Sequence, residues 1–240
     1  MRRVVVTGMA GHSPVGLSWP EVEANLRARA SSVRSMPDWR AFAGLNTCVA
    51  APLPRFPLPE LYDRKRTRSM GRVALLATRC SELAIEAAGL TGEQTVWDLY
   101  CGIGTIGLSM ASKALTVWGV DVSEESIACA LENADLNGIA NAAFFAGDVG
   151  QAVEELKDRS GDPDVVVVDP PRAGLSNKAV RRLGRIGTPR IVYVSCNPTT
   201  LAGNLKQLRE DWGYQLRRAR PVDMFPHTPH VECVSLLERG

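Results

Sequence analysis

Thr95-Val-Trp-Asp-Leu-Tyr-Cys-Gly-Ile-Gly-Thr-Ile-Gly-Leu108 is the stretch whose reading decides the fold. A short apolar run breaks into glycines and then resumes with helical spacing, so it reads as a strand, a tight turn and a helix N-terminus. Gly102, Gly104 and Gly107 follow Gly-x-Gly-x-x-Gly, which lets backbone approach a ligand and lets the helix sit close to the strand. A dinucleotide would lay its pyrophosphate on such a turn, but Asp98 just before it repels phosphate. A nucleoside cofactor with cationic groups and no phosphate suits that acid better.

Downstream the pattern alternates. Strands are expected at 96–99, 116–122, 142–146, 164–168 and 190–195, with helices at 124–137, 150–159, 177–183 and 199–211 between them. Two further strands, 214–221 and 230–237, follow without a helix between them. Alternation of this kind predicts a parallel sheet with helices on both faces, closed by a hairpin. The expected class is therefore α/β, a Rossmann-like domain of seven strands over residues 91–240.

Acids and a thiol fall at the strand ends, where open parallel sheets bind ligands. Asp121 ends the second strand and is placed to accept from ribose hydroxyls; as a bland alternative it caps the helix that follows. Asp148 follows the third strand and reads equally as an acceptor for an adenine amino group or as a helix cap. Asp169-Pro-Pro-Arg172 follows the fourth strand and Ser195-Cys-Asn-Pro198 the fifth. Cys196 sits before a helix, where a partly exposed sulfur can serve as a nucleophile. In Pro221-Val-Asp-Met-Phe-Pro-His-Thr-Pro-His-Val-Glu-Cys-Val234, zinc on His227, His230 and Cys233 is the tempting reading, but the spacing is unusual and no cysteine pair supports it. No metal is expected. Glu232 in an otherwise apolar strand reads as a buried general base.

Upstream of the glycine turn the chain changes character. Arg3 to Met9 reads as a strand, Ser18-Trp-Pro-Glu21 as a capping box that starts a helix, and 35–63 as proline-rich loop with one or two short strands. Asp63-Arg-Lys-Arg-Thr-Arg68 is a basic cluster with the look of a solvated surface, and 70–88 is an amphipathic helix stopped by Gly89. Over the whole chain of 240 residues, 45% are hydrophobic and the net charge is +2. That balance supplies a core and neither demands nor excludes a nucleic-acid partner. Six cysteines are scattered with no Cys-x-x-Cys pair, no secretory segment leads the chain, and no apolar run reaches the roughly 18 residues of a membrane span. Reduced thiols in a cytoplasm are the expectation, with no membrane partner.

Taken together, Asp98-Leu-Tyr-Cys-Gly-Ile-Gly-Thr105, Asp169-Pro-Pro-Arg172, Ser195-Cys-Asn-Pro198 and His227-Thr-Pro-His-Val-Glu232 resemble the catalytic domain of the RNA uracil-C5 methyltransferases. The resemblance implies S-adenosylmethionine as cofactor, ribosomal or transfer RNA as substrate and 5-methyluridine as product. It places Tyr100, Thr105, Asp121, Asp148 and Asp169 at cofactor positions, Cys196 as the nucleophile that adds to uracil C6, and Glu232 as the base. Members of that family normally carry an upstream segment with a cofactor-contacting glutamine, often an RNA-binding barrel, and in some an iron–sulfur cysteine set. Here Arg2-Arg-Val-Val-Val-Thr-Gly-Met9, Ser13-Pro14, Leu45-Asn-Thr47 and the run from Lys65 to Thr78 instead resemble the amino-terminal part of a beta-ketoacyl-acyl-carrier-protein synthase, a thiolase-like fold. That likeness covers residues 1–90 without the condensing cysteine and histidines. It implies an inactive synthase fragment of fatty-acid biosynthesis, with acyl carrier protein as partner, as the alternative function. The two likenesses meet at Gly89-Leu-Thr-Gly92, the pattern of a chimera of segments 1–90 and 91–240.

Overall fold

Strand β3 (Thr95–Leu99) is the axis of the structure, a computed structural model that describes residues 19–41, 43, 48–50, 52, 72–222 and 231–240. Parallel neighbours flank it: β4 (Thr116–Asp121) and then β5 (Ala142–Ala146) on one side, β6 (Val165–Val168) and then β7 (Arg190–Ser195) on the other. The antiparallel pair β8 (Tyr214–Val222) and β9 (Glu232–Arg239) completes the sheet, with β9 inserted next to β7, giving the order β5-β4-β3-β6-β7-β9-β8. The seven strands and the closing hairpin are those expected from the sequence.

The pleat sorts the core into two layers. Val96, Val165, Val167, Val192 and Val194 face one way, and Trp97, Val166, Val168, Ile191 and Tyr193 the other. Four consecutive valines in β6, all buried, are what a central strand covered on both faces requires. Helices α2 (Arg72–Ala88) and α3 (Thr105–Ala111) cover the first face. Helix α4 (Glu124–Leu136) packs beside β4 and β5. Helices α5 (Val149–Ser160), α6 (Asn177–Ile186) and α7 (Pro198–Trp212) cover the second face.

Helix α2 presents Leu76, Cys80, Leu83, Ala84, Ala87 and Ala88 at helical spacing to the sheet. Each buried leucine contributes about 2 kcal/mol. At the other end, Arg190 at the start of β7 donates to the carbonyls of Ala88 (2.5 Å) and Gly89 (3.1 Å), and Glu86 pairs with Arg220 of β8. A cation on the last carbonyls of a helix both caps them and complements the dipole. The segment placed by sequence with residues 1–90 thus shares its hydrophobic core with the sheet.

Helix α6 runs three residues beyond its expected end. Gly184 explains the extension, because a Cβ there would meet the ring of Trp212 at 2.0 Å; glycine lets α6 and α7 close on each other, and Gly187 (φ +72°) then ends the helix. Before α2, α1 (Trp19–Arg27) begins within the expected capping box, and the two-residue strands β1 (Arg34–Ser35) and β2 (Val49–Ala50) form a small antiparallel ribbon. The expected strand 3–9, the basic cluster 63–68, most of the synthase-like motifs, and His227 and His230 lie outside the described residues. Among the described residues no helix is long and apolar enough to cross a membrane.

Candidate active site

The expected site residues converge on one edge of the sheet, the carboxyl ends of the parallel strands. The glycine turn is organised by two carboxylates. Asp98 is buried and its Oδ2 accepts the Gly107 N–H at 2.8 Å. A Cβ on Gly107 would lie 2.8 Å from that same oxygen, so glycine is required for α3 to start this close to β3. Asp121 accepts the Gly102 N–H through Oδ2 (2.9 Å) and the Ser123 N–H through Oδ1 (3.0 Å), tying the turn to the end of β4. The helix that follows is capped by Ser123, whose Oγ accepts the Ser126 N–H at 3.1 Å, so Asp121 is not its cap, and each Asp121 oxygen retains a further lone pair.

Tyr100 holds a left-handed backbone (φ 71°), which costs a side-chain-bearing residue about 1–2 kcal/mol. Its N–H and that of Cys101 both donate to the Val120 carbonyl, the contacts that fix this conformation. Burial first, and then the charge of Asp148, raise the Tyr100 phenol, with Arg182 opposing. Asp148 itself pairs with Arg182 at 3.0 Å and precedes the first turn of α5. Thr105 is the exposed first residue of α3.

The catalytic candidates lie across the sheet. Ser195 is opposite Cys233 in the antiparallel β7–β9 register, so Cys196 and Glu232 are the next residues along the two strands. Cys196 is half-buried between β7 and α7, and Asn197 caps that helix by accepting from Thr199 N–H at 3.1 Å. The same asparagine donates through Nδ2 to the Arg172 carbonyl (3.2 Å), and Thr200 Oγ1 donates there too (3.3 Å). The Asp169-Pro-Pro-Arg172 and Ser195-Cys-Asn-Pro198 loops are thereby joined.

Glu232 is buried, its Oε1 has no hydrogen-bond partner, and burial followed by the charge of Asp169 pushes its carboxyl up to about 7. Desolvation of its carboxyl raises Asp169 to about 6, although the residue as a whole is exposed. Burial also raises the Cys80 thiol of α2, with Glu232 and Asp169 adding to the effect, which puts that helix against the same acids. Among the described residues no cluster of three or more His, Cys, Asp or Glu side chains could hold a metal.

Asn204 is a site-supporting residue that sequence reading passes over. From α7 its Oδ1 accepts the Leu175 N–H (2.9 Å) and the Tyr193 hydroxyl (2.8 Å), while its Nδ2 donates to the Leu175 carbonyl (2.9 Å). It thus pins the far end of the Asp169 loop to β7 and α7. The available signal is a polar residue on the apolar stripe of Leu201 and Leu208.

Asp98 yields a stability prediction. Burial pushes its carboxyl up to about 7, against the Gly107 hydrogen bond, with Asp169 and Asp121 adding to the rise. A carboxyl raised in the folded state favours folding below its ordinary range, and that contribution is lost as pH rises through about 7. Urea unfolding at pH 5 and pH 8 is expected to show a larger loss in the wild type than in Asp98→Asn, by on the order of 3 kcal/mol. Equal losses would mean that Asp98 is ionised without cost.

The tRNA (Uracil-5-)-methyltransferase family model matches residues 72–240. An RNA methyltransferase of Caldanaerobacter subterraneus, itself uncharacterized, is 47% identical over 164 residues, 68% of this chain and 36% of that protein. The chain spans little more than a third of the length of the curated relatives it matches. The Pyrococcus abyssi tRNA (uracil-54, C5)-methyltransferase, solved in complex with S-adenosyl-L-homocysteine, is 36% identical with a TM-score of 0.54, over 66% of this chain and 38% of that one. A precorrin-6y C5,15-methyltransferase of Geobacter metallireducens shares the fold alone, at 13% identity and a TM-score of 0.56, over 66% of this chain and 88% of that one.

Proposed function

Because the chain belongs to the tRNA (uracil-5-)-methyltransferase family, we propose that it carries the catalytic unit of an S-adenosylmethionine-dependent RNA methyltransferase that forms 5-methyluridine. The observation that carries the reading is the pairing of the glycine turn and its buried Asp98 with Cys196 and Glu232 on adjacent strand ends. The unit includes α2, since that helix completes the sheet's core. The segment before it keeps its motif likeness to the ketosynthases, and acyl carrier protein is a partner only on that second reading. RNA is the substrate, in the cytoplasm.

The residues fit the cofactor. Gly102 has open space where a Cβ would lie, which leaves room for close backbone approach, and the second oxygen of Asp98 is buried with no partner, which suits a cationic group. Tyr100, Thr105, Asp121, Asp148 and Asp169 complete the proposed holding set. When bound, S-adenosylmethionine supplies an electrophilic methyl group.

The protein's own residues make uracil C5 able to receive it. The Cys196 sulfur adds to C6, the C5–C6 double bond opens and electron density moves to C5. Once C5 carries the methyl group, Glu232 takes the C5 proton, the double bond re-forms and the sulfur leaves as thiolate. A carboxyl poised near 7 is matched to that proton transfer at neutral pH. A uridine in a duplex must be flipped out to reach Cys196.

Calorimetry with S-adenosylhomocysteine tests the cofactor reading. Saturable heat is expected from the wild type, with a weaker response from Asp98→Asn, which keeps the side-chain shape but loses the charge. No heat from the wild type at high protein concentration removes the reading.

A further inference from the structure

Helix α6 is a run of cations with no acid, Asn-Lys-Ala-Val-Arg-Arg-Leu-Gly-Arg-Ile. Lys178, Arg181 and Arg185 recur at helical spacing on one exposed stripe, with Val180 and Leu183 buried on the opposite side. Of the other cations among the described residues, Arg27, Arg79, Lys157, Arg159, Arg217 and Arg220 pair with Glu23, Glu82, Asp162, Glu155, Glu238 and Glu86, while exposed cations without an ion pair, such as Arg34, Lys113 and Arg218, lie on separate elements and form no stripe. On α6 only Arg182 is paired, with Asp148. Among the described residues Lys178, Arg181 and Arg185 make no ion pair. At the far end of the helix Arg185 borders a hollow that also holds Glu154, Lys157 and Asp162.

The position of the stripe gives it meaning. Helix α6 starts two residues after Gly174-Leu175, directly downstream of the Asp169-Pro-Pro-Arg172 loop that Asn197 ties to Cys196. From that catalytic edge its ten residues run about 15 Å across the outside of the domain. Unpaired cations strung outward from a base-modifying site match the regularly spaced phosphates of a polynucleotide, each contact releasing a condensed counterion.

We propose that the Lys178–Arg181–Arg185 stripe of α6 is an RNA-backbone contact surface that leads the strand flanking the target base to Cys196. The proposal rests on the reading of the chain as an RNA methyltransferase. The contacts are to phosphates, so they supply affinity and register and carry no sequence preference.

Binding of the full chain to a fluorescein-labelled, unmodified tRNA transcript, measured by anisotropy from about 50 to 200 mM salt, tests the surface. The triple variant Lys178→Gln, Arg181→Gln, Arg185→Gln is expected to bind roughly 10- to 100-fold more weakly at the low-salt end, and to flatten the log–log salt slope by about 2. A control of equal charge change at exposed Arg34, Lys113 and Arg218 keeps the wild-type slope. Heat of S-adenosylhomocysteine binding is the same in all three proteins, which shows the folded cofactor site is intact. The proposal is overturned if the α6 triple keeps wild-type affinity and slope, if the control loses as much as the triple, or if the wild type shows no affinity for the transcript. Each of those results can occur with cofactor binding preserved, so failure of the surface is distinct from failure of the methyltransferase reading.

Discussion

Cys196→Ala is expected to lower methyl transfer to RNA by about 10⁴-fold or more, the scale of losing a covalent nucleophile. The substitution removes the sulfur that adds to C6 and nothing that holds the fold. Cys196 is half-buried, and the hydrogen bonds joining its loop to Arg172 come from Asn197 and Thr200. Urea unfolding and S-adenosylhomocysteine heat should therefore match the wild type while turnover is lost. Alanine at the buried Cys233 is the contrasting case; it sits in the apolar layer with Trp97 and Tyr193, so its effect falls on stability. Retained methylation in Cys196→Ala would break the assignment.

Glu232→Gln is expected to fail later in the reaction. Glutamine still allows the sulfur to add and C5 to be methylated, but it cannot accept the C5 proton, so steady-state turnover falls by about 10²- to 10⁴-fold and the methylated adduct accumulates. Its pH signature is specific. Burial and Asp169 hold the carboxyl near 7, so adduct resolution in the wild type should plateau above about 7 and fall roughly tenfold per unit below it. That limb should be missing in the glutamine variant. Glu232→Gln also removes a carboxyl whose ionisation is costly in the folded state, so the variant should unfold no more readily than the wild type at pH 8. A profile shared by both proteins would assign the proton transfer to another group.

The architecture was legible because its period and punctuation agree at each step. Four valines in β6 can be satisfied only by a strand covered on both faces, and the glycines after β3 permit one strand–turn–helix geometry, which the contact of Gly107 with Asp98 shows physically. Strand-end residues such as Cys196, Asp121 and Asp169 were legible for the same reason, since parallel strands fix which end they occupy. Asn204 was not, because its partners Leu175 and Tyr193 are distant in sequence and a lone asparagine on a helix stripe carries no period. Nor was the allegiance of α2. Its apolar stripe says only that one face is buried, while what it is buried against is decided by Val96, Val194 and Val222 and by Arg190 across its end. Motif likeness placed that helix with the amino-terminal segment, and packing places it on the sheet.

The central claim, that Cys196 forms a bond to the target base before Glu232 frees the product, is tested most directly by mass spectrometry after incubation with S-adenosylmethionine and 5-fluorouridine RNA. Fluorine at C5 cannot leave as a proton, so the reaction should stop with methylated nucleotide attached to the peptide that contains Cys196, in the wild type and in Glu232→Gln but not in Cys196→Ala. Methylated RNA released without any adduct, or an adduct mapped to Cys101 or Cys233, would contradict it.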